Sequence, residues 1–274
     1  MKIAIAVFAI YVNLFSQSLS EINNFKLNSI DILNGLSPDK VRISPNGYIF
    51  FDFYNAKIAL FSKNEQLFYG GRSSSRKGLI DPIDAAINGL DIFVLNQSSS
   101  SILRFDTKLN YLESINIDAE EDLFSNLITV DGFSNIYIYS QENNKIYFSN
   151  NLNNKFSIFI DFSLFGLDFD CIEDMNIDIK NNLILLIDCL KEFFVFNKSG
   201  KLIYRFPVNI DEPIIVLSLG SDYLVANSKG EIETGFPDNK IINIDSKIRD
   251  IIYSNNKLNI LSDSSLTIYD YHKK

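Results

Sequence analysis

Carboxylates are the groups in this chain best placed to do chemistry. Between Asp161 and Asp174 the acids Asp168, Asp170 and Glu173 fall among Phe162, Leu164, Phe165, Leu167 and Phe169. A second acidic run is Asp118-Ala119-Glu120-Glu121-Asp122. Clusters of oxygen ligands suit Ca²⁺, which accepts six to eight of them with loose geometry. Neither run has the Asp-x-Asp-x-Asp-Gly spacing with a closing Glu that builds a calcium loop. Solvated loop acids are therefore the plainer reading, and no cofactor is expected; calcium is the candidate should the carboxylates converge.

The other reactive types are sparse. Ser73-Ser74-Ser75 sits between Arg72 and Arg76-Lys77, a glycine-flanked loop with cations that could face an anion. The Walker spacing is absent and no helix pattern follows, so a solvated loop fits better. Cys171 and Cys189 are the two cysteines, and both a disulfide and two buried thiols stay open. His272 is the single histidine, three residues from the end of the sequence. That excludes Ser-His-Asp and Cys-His catalysis within a fold, and zinc held by histidines. Catalysis by carboxylates alone survives, with no pair that sequence can place.

The elements that must position these groups repeat. Tyr48-Ile49-Phe50-Phe51-Asp52 is an apolar strand ending on a small polar residue, followed by a polar turn and a second strand closing at Phe61. The same phrase returns with its terminal polar residue at Asn96, Ser140, Asp188, Asn227 and Asp263. Six β units at a spacing of roughly forty residues indicate a propeller, with four-stranded blades around a channel. The expected fold is an all-β, six-bladed propeller of four-stranded antiparallel blades. The sixth unit offers three strands, while Phe25 to Leu33 reads as an orphan strand ahead of the first unit. Pairing residues 25–33 with 266–271 closes the ring and removes two exposed edges.

One unit carries a family resemblance. Phe68-Tyr69-Gly70-Gly71-Arg72 through Gly78-Leu79-Ile80-Asp81-Pro82 leads into an inner strand, the Asn88-Gly89 hairpin signal and then Ile92 to Asn96. This resembles the inter-blade connection and first strands of NHL-repeat propellers. Glycine permits the positive φ needed where the chain passes between blades. The match is full in this unit and partial in the other five: the family's strand-ending Asp is Asn96, Ser140 and Asn227 here. The chain also lacks tryptophan, which separates it from WD and YWTD propellers and from calcium-dependent propeller lactonases.

Met1 to about Ser20 reads as a leader outside the fold, with Lys2, the apolar run Ile3 to Phe15 and small residues at Ser16-Gln17-Ser18. The expected domains are a signal peptide over 1–20 and the propeller over 21–274, placing the protein in the periplasm or outside the cell. The net charge of −9 repels phosphate backbones, so nucleic acid is not an expected partner. No integral membrane segment is expected in the mature chain. The favoured function is a non-enzymatic propeller that binds a protein, peptide or glycan through its loop rim. The alternative is a carboxylate- or calcium-dependent hydrolase or lyase at the channel mouth. The candidate face carries the turns between second and third strands and the inter-blade loops. On it lie Asp52, Asn96, Asp188 and Asn227, with Arg72 and Arg76 to one side and Asp168, Asp170 and Glu173 to the other.

Overall fold

A computed structural model describes residues 19–71, 78–165, 171–236 and 239–271. Strand β1 (Leu19–Lys26) comes first. Blade 1 is β2 (Lys40–Ser44), β3 (Gly47–Asp52), β4 (Lys57–Phe61) and β5 (Gln66–Gly70). Blade 2 is β6 (Pro82–Ile87), β7 (Asp91–Asn96), β8 (Ser101–Asp106) and β9 (Tyr111–Asn116). Blade 3 is β10 (Ser125–Val130), β11 (Ile136–Ser140), β12 (Lys145–Ser149) and β13 (Ser157–Asp161). Blade 4 is β14 (Ile172–Ile177), β15 (Leu183–Ile187), β16 (Glu192–Phe196) and β17 (Leu202–Pro207). Blade 5 is β18 (Pro213–Ser218), β19 (Tyr223–Asn227), β20 (Glu231–Thr234) and β21 (Lys240–Asn243). Blade 6 is β22 (Asp250–Ser254), β23 (Lys257–Leu261) and β24 (Ser265–Tyr271), completed by β1. All six sheets are four-stranded and antiparallel, as the repeat implied.

The middle positions of the second strands are apolar in succession rather than alternately, Asn259 of β23 excepted, because both faces of a blade are covered. Ile92 and Val94 pack towards blade 1, while Phe93 and Leu95 between them pack towards blade 3. Each of the six blade-to-blade interfaces has its own buried cluster. Burying such a phenylalanine or leucine contributes about 1.5–3 kcal/mol, and no single interface dominates.

Closure differs from the sequence expectation in its residues. The strand that pairs with β24 is Leu19–Lys26, from Leu19 opposite Tyr271 to Lys26 opposite Ser265. Residues 27–33 form two short 3₁₀ turns, Leu27–Ser29 and Asp31–Leu33. Leu27, Ile30 and Leu33 are buried against blades 1 and 6. Their spacing of three is the period of a 3₁₀ helix, and a two-residue reading of the same segment mistook it for a strand. Closure also reaches into the stretch read as leader, since β1 includes Leu19 and Ser20.

Cys171 and Cys189 are joined in a disulfide, with Cα atoms 5.9 Å apart. Cys171 precedes the inner strand of blade 4 and Cys189 follows the second strand, so the bridge lies at one rim. Of the two readings the sequence left open, the pairing is the one adopted.

Candidate functional site

Equivalent positions on the six inner strands carry Lys40, Asp84, Leu127, Asp174, Ile215 and Asp250, each opposite a residue near the end of its second strand. The three aspartates occupy alternate blades. Each accepts a backbone N–H from the inner strand of the next blade: Ile128 N to Asp84 at 2.8 Å, Val216 N to Asp174 at 2.9 Å and Val41 N to Asp250 at 2.8 Å. An inner strand is a sheet edge with unpaired amides towards the channel, so these carboxylates satisfy otherwise orphaned donors and tie blade to blade.

Two cations from blade 1 enter the same ring. Lys40 Nζ lies 2.6 Å from Asp84 and Arg42 Nη1 2.6 Å from Asp250. Burial works against both charges, but Asp84, Asp174 and Asp250 outweigh it and raise both pKa values. Asp174 has no ion pair among the described residues. Burial raises its carboxyl above the ordinary carboxylate range, against the pull of Lys40, the Val216 N–H and Arg42.

Beside this ring the channel opens into a cavity of about 450 Å³. It runs from Arg42 and Ala85 up to Asn88, Gly132, Asn181 and Gly220, and so opens on the face formed by the turns between first and second strands. Three of those turns, in consecutive blades, push an apolar side chain outward. Leu90 is 74% exposed, Phe133 63% and Ile179 70%. The turns that present them are held by side-chain caps. Asn88 Oδ1 accepts from Leu90 N and Asp91 N. Asp131 accepts from Phe133 N, Asn135 N and Asn135 Nδ2. Asp178 accepts from Lys180 N, Asn182 N and Asn182 Nδ2. Neighbouring turns are also linked, Asn88 Nδ2 to Ser134 Oγ at 2.8 Å and Gly132 N to Asn181 Oδ1 at 3.4 Å. Lys198 stands 5.1 Å over the Phe133 ring. The result is a cup with a charged floor and a crown of three apolar tips.

Those residues singled out from sequence that the structure describes lie at the opposite face. Asp52 is buried and accepts from Asn55 N and Asn55 Nδ2, which closes its turn, and from Ser37 N ahead of β2. Asn227 accepts from Lys229 N and Glu231 N and donates to Asp211 O and Glu231. Asn96 donates to Gly78 O at 3.2 Å, and its buried Oδ1 has no partner among the described residues. Asp188 lies in a short 3₁₀ turn beside the disulfide. Glu173 is next to it, its pKa raised by burial and then by Asp188 and Asp174. Those two acids are thus brought together, whereas Arg72, Arg76, Asp168 and Asp170 lie outside the described residues. In the run 118–122, Glu121 is held by Lys145 at 2.8 Å and by the Tyr147 hydroxyl, which bring its pKa down to about 2. Among the described residues no group of three or more His, Cys, Asp or Glu is arranged to hold a metal ion.

Sequence reading missed the channel ring and the crown. The ring had a weak signal, an acid ahead of an apolar inner strand in every second repeat. The capping had a stronger one: Asp or Asn followed four residues later by Asn recurs as Asp106/Asn110, Asp131/Asn135 and Asp178/Asn182.

No protein-family model matches the chain, and no curated relative does. Solved structures share its fold. A virginiamycin B lyase from Staphylococcus aureus is similar at 13% identity and TM-score 0.62, over 85% of this chain and 80% of that one. BBS1N in complex with ARL6DN is similar at 11% identity and TM-score 0.59, over 93% and 97%. BamB from Moraxella catarrhalis is similar at 13% identity and TM-score 0.51, over 85% and 70%. At these identities the likeness is one of fold, a β-propeller.

Proposed function

We propose that this chain is an exported, non-enzymatic propeller, with repeats of NHL type, that binds a protein or peptide partner on its crowned face. The observation that carries the reading is the row Leu90, Phe133 and Ile179. Clustered apolar side chains on rigid, interlinked turns offer a partner contact area at little ordering cost. An apolar crown favours a protein or peptide over a glycan. BBS1N was solved with a protein partner, which is consistent with the fold serving this purpose. The disulfide and the N-terminal apolar run support an oxidising compartment.

The test is crosslinking in the native exported fraction with three forms of the full chain. The parent is compared with Leu90→Ser/Phe133→Ser/Ile179→Ser and with a Tyr54→Ser/Leu164→Ser double variant, both of whose residues are exposed on the opposite rim. The expected outcome is one specific adduct with the parent, lost only in the crown variant. Loss only in the Tyr54/Leu164 variant would move the interface to the rim of Asp188 and Glu173. Retention in both would overturn the reading. A calcium titration separates the alternative: heat or a thermal shift with the parent supports a calcium-dependent hydrolase or lyase, and neither sets it aside.

A further inference from the structure

The turns of blades 3 and 4 on the crowned face carry positive charge that nothing in the fold neutralises. Lys180 follows Ile179 directly, and Lys198 and Lys201 lie on the turn between β16 and β17. All three are exposed and without a carboxylate partner among the described residues. The acids of the same sector offer none, because Asp131 and Asp178 are buried and their oxygens accept the capping N–H groups. The opposite face is different. There Lys145, Lys191, Lys229 and Arg249 are each paired with a carboxylate. The net charge of −9 thus conceals a cationic sector beside the apolar tips. These lysines are also held in place. Lys198 stands 5.1 Å over the Phe133 ring, and Asn197 Oδ1 accepts from Ser199 N and Lys201 N to fix the turn that bears both lysines.

We infer that the partner presents an acidic, amphipathic peptide segment to this face. Its apolar side chains sit among Leu90, Phe133 and Ile179, and its Asp or Glu carboxylates face Lys180, Lys198 and Lys201. The inference rests on the crown being the partner-binding face and adds the partner's chemistry. Opposite charges across an interface speed encounter and reject partners of the wrong sign. A basic segment would meet three like charges. The partner's carboxylates belong at the rim and not inside the cup, since the floor sets Asp84, Asp174 and Asp250 against only Lys40 and Arg42. A protein segment fits this face better than an anionic bilayer. The mouth of the cavity, at Asn88, Gly132, Ile179 and Asn181, is concave and takes a convex chain. A bilayer is flat on this scale, and the Phe133 ring already carries Lys198.

A random dodecapeptide library selected on the immobilised full mature chain is the probe. Enriched peptides are expected to combine Asp or Glu with Leu, Ile or Phe. One of them is synthesised and its binding kinetics are followed by surface plasmon resonance. Lys180→Glu/Lys198→Glu/Lys201→Glu should slow association about tenfold or more and leave dissociation nearly unchanged; added salt should slow association to the parent in the same way. The crown variant Leu90→Ser/Phe133→Ser/Ile179→Ser should instead speed dissociation. Both variants exchange exposed side chains, so each should melt close to the parent. Acidic peptides whose association the lysine variant leaves unchanged would overturn the inference. So would neutral or basic peptides that only the crown variant releases, a result that leaves the crown as the partner face. Peptides held equally by the parent and both variants would remove the inference and the crown reading together. A selection that enriches nothing would overturn the inference as well. Sedimentation of the parent with phosphatidylglycerol vesicles, lost in both variants, would assign the face to an anionic bilayer and overturn it.

Discussion

Two aspartates show how differently one side chain is used. Asp52 spends its carboxylate on two donors of Asn55 that close the turn between β3 and β4 and on Ser37 N in the connection ahead of β2, and Asn227 likewise closes its turn in blade 5. Asp52→Ala and Asn227→Ala should each cost about 0.5–2 kcal/mol, as other side-chain caps do. Asp188→Ala should cost less than about 0.5 kcal/mol, because that side chain caps nothing among the described residues; urea unfolding measures all three. Asp174 works the other way. A carboxyl whose pKa is higher folded than unfolded destabilises the fold wherever it is ionised, and the penalty fades as pH falls through the folded value. Asp174→Asn should therefore raise the melting temperature at pH 7 by a few degrees. The gain should vanish in acid, where the parent's carboxyl is already neutral, and calorimetry across that range decides it.

Among the elements, β1 is the one whose position in the chain and place in the fold are furthest apart. It supplies the outer strand of blade 6, and without it β24 becomes an exposed edge. A chain starting at Leu27 should melt well below the parent and aggregate on heating, as light scattering during a thermal scan would show. A chain starting at Leu19 should melt like the mature protein. If the leader is removed as proposed, N-terminal sequencing should find Leu19 retained, because it pairs with Tyr271. The turns are the other telling elements. Those of blades 2, 3 and 4 are capped by Asn88, Asp131 and Asp178 and bonded to one another, so the crown is rigid before any partner arrives.

At the scale of the molecule, stability is shared by six similar interfaces and reinforced at one rim of blade 4. The Cys171–Cys189 bridge closes a segment with a sequence separation of 18, and a loop of that order contributes about 2–4 kcal/mol. Cys171→Ser/Cys189→Ser should lower the unfolding free energy by that amount in denaturant titrations. Reductant should destabilise the parent equally and leave the double variant unaffected. The ring also has polarity: one face bears the acids beside the disulfide, and the other bears the cup and crown.

The propeller was legible in the sequence because a blade's second strand is buried on both faces. That forces an apolar run with a polar cap, and six copies of Tyr48 to Asp52 announce six blades. Closure was legible in outline, since three strands at one end need a fourth. Its residues were not, because Phe25, Leu27, Ile30 and Leu33 satisfy a strand and a 3₁₀ turn alike until the neighbours are known. The candidate site was scarcely legible. Asp84, Asp174 and Asp250 look like ordinary loop-side acids when each is read with its sequence neighbours. They become a ring only when blades 2, 4 and 6 turn their inner edges to one axis, where Lys40 and Arg42 reach two of them. Local sequence determines which residues make strands and turns. Which charges meet is decided by closure, because the distances between blades that set Coulomb and desolvation energies exist only in the finished ring.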